Sequence, residues 1–170
     1  MFKSANPILF MANATFAENL NMYSGLTHLH SANRYLILVF ILFTIVDALL
    51  SGGNSSYSKK SKIMALIALI LIHVQAALGL VQYFLSPWFK GLMDSASDVM
   101  SNPQARFFAV EHWLIMVVGV VLITVGYSKA KRIEKVAKRY RTILIYYGIG
   151  LVIFLIGIPW PFLKTFGTWI

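Results

Sequence analysis

Four long apolar runs, at 35–50, 63–85, 107–127 and 143–160, constrain this chain more than any other feature. A helix rises 1.5 Å per residue, so about 20 mostly apolar residues cross a hydrocarbon core of about 30 Å. Lipid offers no partner to a bare peptide group, and segments of this length satisfy their own backbone only as helices. The first run is short as it stands, but it continues upstream through Leu26, His28, Leu29, His30, Ala32 and Arg34, which places its start near Leu26. The expected fold is an all-α integral membrane protein, a four-transmembrane-helix bundle. With 58% of its residues hydrophobic, 12% charged and a mean hydropathy of +0.71, the chain is not an ordinary soluble domain.

The net charge of +9 would suggest nucleic acid in a polar protein, but the positions of the charges exclude that partner. Lys59, Lys60 and Lys62 fall between the first two runs, and Lys129, Lys131, Arg132, Lys135, Lys138, Arg139 and Arg141 between the last two. Only Lys3, Arg34, Lys90, Arg106 and Lys164 remain for the other side. The positive-inside rule therefore places both basic connections in the cytoplasm and both termini outside, in a multi-pass protein of a bacterial cytoplasmic (inner) membrane. Trp88, Trp113, Trp160 and Trp169 mark the outer side, and Tyr57, Tyr127, Tyr140, Tyr146 and Tyr147 the inner. Breakers fall where the runs end, at Gly52-Gly53, Ser86-Pro87 and Pro159-Trp160-Pro161. The expected organisation is an external N-terminal tail at 1–25, a membrane domain at 26–161 and a short external tail at 162–170. Organised patterning starts directly after Met22, a candidate functional start.

The chain has no cysteine, which excludes disulfides, thiol catalysis and iron-sulfur clusters and leaves histidine as the metal ligand. All four histidines, His28, His30, His73 and His112, lie in the runs or at their outer edges. Polar groups there are costly and mark functional positions, although they also link helices by hydrogen bonds. Inward-pointing histidines on facing helices suit a b-type haem, with two imidazoles as axial ligands. Measured from the inner ends of the runs, His30 lies 20 residues out, His73 11 and His112 16. The corresponding heights are about 30, 16 and 24 Å. His30 with His112 is favoured by a mismatch of about 6 Å, against about 8 Å for His73 with His112, a margin that tilt of one span reverses.

Around these residues, Arg34 is one turn from His30 and positioned to pair with a propionate. Gly119 and Gly126 share the His112 stripe, where they allow either a flat ligand or a close helix. On the second run His73 stacks with Ala76, Ala77 and Leu80, whereas Gln75, Gly79 and Gln82 share another face, so one face is available to a cofactor and the other to a helix. Glu111 is expected to face water or Arg106. Zinc needs three converging ligands, which these heights do not supply.

From Met22 to Pro161 the chain resembles the small four-span bacterial membrane proteins described as cytochrome b or cytochrome-b-like. The motifs are Gly25-Leu26-Thr27-His28-Leu29-His30-Ser31 with Arg34-Tyr35, His73-Val74-Gln75 with Leu78-Gly79-Leu80, Tyr83-Phe84-Leu85-Ser86-Pro87, Glu111-His112, Gly126-Tyr127-Ser128-Lys129-Ala130-Lys131-Arg132 and Ile158-Pro159-Trp160-Pro161. Histidine and arginine on one span, Gln-x-x-Leu-Gly on the next and histidine on the third are distantly similar to one half of haem A synthase. That likeness implies His30 and His112 as the axial pair. It departs in a histidine before the glutamine and in having only four spans, which argues against haem modification. The resemblance implies an electron-transfer protein rather than a stand-alone enzyme. It would carry haem b, one copy or two, and pass electrons between a quinol pool and a partner, including subunits of a respiratory or other membrane complex. The alternative is a membrane scaffold or accessory subunit without haem, whose histidines only link helices.

Overall fold

The computed structural model describes residues 7–54 and 56–160. Helix α1 runs Pro7–Ser51, α2 Lys59–Leu85, α3 Pro87–Asp94, α4 Ala96–Ser101 and α5 Pro103–Arg106. A π turn over Phe107–Glu111 leads into α6, His112–Arg132, and α7 spans Val136–Gly157. Four stretches are long and apolar enough to cross a membrane: Asn21–Ser51, Lys59–Leu85, Pro103–Arg132 and Val136–Gly157. The chain is a multi-pass, four-helix membrane bundle. Because the number of spans is even, the two ends of the bundle domain share one side, and the two basic connections share the other.

Each boundary has a local cause. Ser58 caps α2, its Oγ accepting from the Ser61 N–H at 3.0 Å. Ser86 serves two helices, donating to Tyr83 O at 2.7 Å at the end of α2 and accepting from the Phe89 N–H at 3.2 Å at the start of α3. Pro87 then occupies the first turn of α3, where no N–H is required. Asn102 caps α5 with Oδ1, which accepts from Gln104 and Ala105, each at 3.0 Å. The segment 7–25, expected as a tail, is helical and continues α1. The expected C-terminal tail at 162–170, with Lys164 and Trp169, lies outside the described residues, as does Lys3.

The helices form a ring in which α1 packs on α2 and α7, and α6 on α7 and α2. The diagonals are therefore α1 with α6 and α2 with α7. One core joins Ile37, Ile41 and Ala48 of α1 to Ala65, Ala68 and Ile72 of α2, Ile123 of α6, and Ile143, Tyr147 and Phe154 of α7. The outward faces carry Leu36, Phe43, Ile70, Val118 and Ile156, each exposed and suited to lipid chains.

Tyr140 and Tyr147, expected to mark the inner side, face the bundle axis and are 1% and 0% exposed. Tyr147 donates to Ala65 O at 2.8 Å, and Tyr140 Oη lies 3.0 Å from Ser61 Oγ, so the two phenols tie α7 to α2 across the diagonal. Of the two roles open to the glycines of the His112 stripe, the structure shows close helix packing: Gly119 receives the Phe154 ring and Gly126 the Tyr146 side chain, both from α7. In return, a Cβ at Gly150 would come within 2.6 Å of Ile123.

Candidate functional site: a histidine pair across the bundle diagonal

His30 lies on α1 one turn before Arg34, and His112 is the first residue of α6 after the π turn. The rings meet across the α1–α6 diagonal with centroids 6.5 Å apart and planes at 64°. Both side chains stand in the half of the bundle away from the basic connections. The remaining histidines do not join them. His28 and His73 are exposed. The His73 Nδ1–H donates to Leu69 O at 2.8 Å, on its own helix. Among the described residues, no group of three His, Asp or Glu side chains gathers as a metal site.

Each ring of the pair is fixed differently. The His112 Nδ1–H donates to Gly157 O at 2.8 Å, tying α6 to the end of α7. A neutral imidazole bonded in this way has a lone pair on Nε2, the arrangement by which backbone carbonyls orient metal-ligating histidines. Phe107 and Phe108 stand 5.7 and 6.5 Å from the same ring. They are brought there by the π turn, whose extra residue makes the His112 N–H reach Phe107 O. His30 is seated against Gly79 of α2, where a Cβ would lie 3.0 Å from its Cε1. A side chain larger than a methyl at 79 would displace the imidazole, which gives this glycine a positional reason.

A polar seam holds α1 to α2 beside the pair. Gln75 Nε2 donates to His30 O at 2.9 Å, Asn33 Nδ2 donates to Gln75 Oε1 at 2.9 Å and Leu71 O at 3.2 Å, and Gln82 Nε2 donates to Thr27 Oγ1 at 3.0 Å. The Gln75, Gly79 and Gln82 face thus meets α1, and His73 points elsewhere. Asn33 and Thr27 escaped the sequence reading. Both lie within one turn of His30, and the spacing of Gln75 and Gln82 by seven residues was the signal that a partner face existed.

Three buried polar side-chain atoms have no hydrogen-bond partner among the described residues: His30 Nδ1, Arg34 Nε and Gln82 Oε1. All three belong to this end of the α1–α2 pair. Each unsatisfied buried group costs about 1–3 kcal/mol, so three at one end of two helices single this region out. Arg34 directs Nη2 to Tyr35 Oη at 3.1 Å, and its guanidinium lies over the Tyr35 ring. Glu111 pairs with Arg106 at 2.7 Å, as its sequence neighbourhood suggested.

The short helices between α2 and α6 close this end of the bundle. Val99, Ala105 and Ala109 form a second small core with Trp88 and Leu92, and Trp88 stacks on Phe108 at 5.4 Å. Two cavities lie away from the His30–His112 pair. One is beside α3 to α5, and the other is between α2 and α6 at the basic end.

Fold and pair together define a class: a four-span membrane bundle with two imidazoles facing each other across its diagonal. Compared with protein-family models, curated proteins and solved structures, the chain finds no match.

Proposed function

We propose that the chain is a b-type haem-binding cytochrome of the bacterial cytoplasmic membrane, with His30 and His112 as axial ligands, transferring electrons between a quinol pool and a partner. The observation that carries this reading is the 6.5 Å spacing of the two rings. Ring centroids 6.5 Å apart leave room for a single iron that would take a nitrogen from each imidazole at about 2 Å. Arg34 Nε, buried without a partner among the described residues, fits a site where an anionic group would supply one.

His112 would bind through Nε2, held in orientation by the Gly157 carbonyl, and His30 would bind from the diagonal helix against Gly79. Arg34 would pair with a propionate, which satisfies its buried Nε. His73 is a poor second ligand, since it lies on the exposed face of α2, away from the pair, with Thr124 Oγ1 3.5 Å from its Nε2. A bound haem supplies one-electron chemistry that no side chain here offers. Phe107, Phe108 and the short helices would exclude water from that end of the bundle.

A second reading has its own support: a scaffold or accessory subunit without haem. His112 already makes a good interhelical bond, and the two cavities lie away from the pair. Spectroscopy separates the two. Purified after expression with haem supplementation, the cytochrome should give a low-spin reduced-minus-oxidised spectrum and one haem b per chain. A colourless protein would favour the scaffold.

A further inference from the structure

The basic run 129–141 reads from sequence as a topology signal with anionic membrane lipid as a further contact, and its cations have different occupations. Lys129 Nζ donates to Tyr146 Oη at 2.7 Å on α7. Arg139 donates to Ala130 O at 2.7 Å and Lys131 O at 2.8 Å, and its guanidinium covers the Tyr57 ring. It thereby satisfies the last carbonyls of α6 and offsets the negative end of that helix. Lys131 and Arg132, with no acidic partner among the described residues, instead line a cavity of about 480 Å³ together with Leu69, Tyr127 and Ser128.

This cavity opens between α2 and α6 at the basic end. Two cations and a hydroxyl stand at its polar side, while Leu69 and the Tyr127 ring form an apolar wall. One turn further into the spans, His73 and Thr124 approach to 3.5 Å and bridge the same two helices. The combination of paired cations at the membrane interface and an apolar wall leading into the hydrocarbon region suits one class of ligand, an amphiphile with an anionic head.

We propose that this cavity is a binding site for the headgroup phosphate of an anionic phospholipid, with Lys131 and Arg132 on the phosphate, Ser128 as a hydroxyl donor and an acyl chain along Leu69 and Tyr127. The site is independent of the haem reading, because it lies at the other end of the bundle and uses none of the same residues.

Native mass spectrometry of the full chain, released from micelles containing equal phosphatidylglycerol and phosphatidylcholine, tests it. The expected result is selective retention of phosphatidylglycerol, reduced at least about tenfold in K131Q/R132Q. K135Q/K138Q, which removes the same charge from the same connection outside the cavity, should retain it. Leu69→Trp, which fills the apolar wall and leaves both cations, should also lose the lipid while unfolding at a temperature near that of the parent. Equal losses from both double variants would overturn the proposal in favour of diffuse charge attraction. Retention by Leu69→Trp, or full displacement by millimolar inorganic phosphate, would overturn it in favour of a site for free phosphate.

Discussion

His30, at the scale of single residues, depends on one absent side chain. Gly79 leaves the space that its imidazole fills, so Gly79→Leu should displace the ring and, on the cytochrome reading, lose most of the low-spin spectrum. Gly79→Ala asks the ring to give way by only a few tenths of an ångström and should keep the spectrum with a shifted potential. Arg34→Gln removes a cation beside the site and should lower the haem midpoint by about 60 mV, the equivalent of about 1.4 kcal/mol for one electron. Redox titration in detergent measures both. An unchanged midpoint in Arg34→Gln would show that its guanidinium does not face a propionate. The pairing of His30 with His112 was legible as a preference from counting residues to the basic ends. The seat at Gly79 was not, because counting gives height along a helix and not the face of its neighbour.

Helices are held here by interlocking small and large residues and by phenols, not by apolar area alone, since lipid is as apolar as the core. Tyr147→Phe removes its bond to Ala65 O and should cost about 1 kcal/mol. Gly150→Leu forces atoms into Ile123 and should cost about 1–3 kcal/mol. Thermal unfolding in one detergent would rank them, and a Gly150→Leu protein as stable as the parent would contradict the interdigitation of α6 with α7. In the connection, burial and the neighbouring Tyr140 push the Tyr57 phenol up to about 12, so it stays protonated across the physiological range. Hydropathy located all four spans, and serine and proline marked their ends. It did not reveal α3 to α5, whose short polar segments carry no long period, nor the π turn, which is a one-residue insertion without a sequence signature. Belt reasoning put Tyr140 and Tyr147 at the inner side without showing that they face the bundle axis, because it weighs depth and ignores which side of the helix a ring occupies.

The arrangement of the whole molecule follows from which helices lie on the diagonals. With α1 opposite α6, residues 82 positions apart in sequence become facing rings, and nothing in an apolar pattern reports that order. Charge distribution predicts the basic connections inside, so reporter fusions at Lys60 and Lys135 should read cytoplasmic and a fusion at Gly91 external. Cytoplasmic activity at Gly91 would invert the account of both sites. The histidine series tests the central claim, that one iron bridges the diagonal, most directly. Absorption spectra and haem content would be measured for His28→Ala, His30→Ala, His73→Ala and His112→Ala beside the parent. His30→Ala and His112→Ala are each expected to lose the low-spin spectrum, while His73→Ala and His28→Ala keep one haem per chain. Loss in His73→Ala with retention in His30→Ala, or a parent protein without haem, would contradict it.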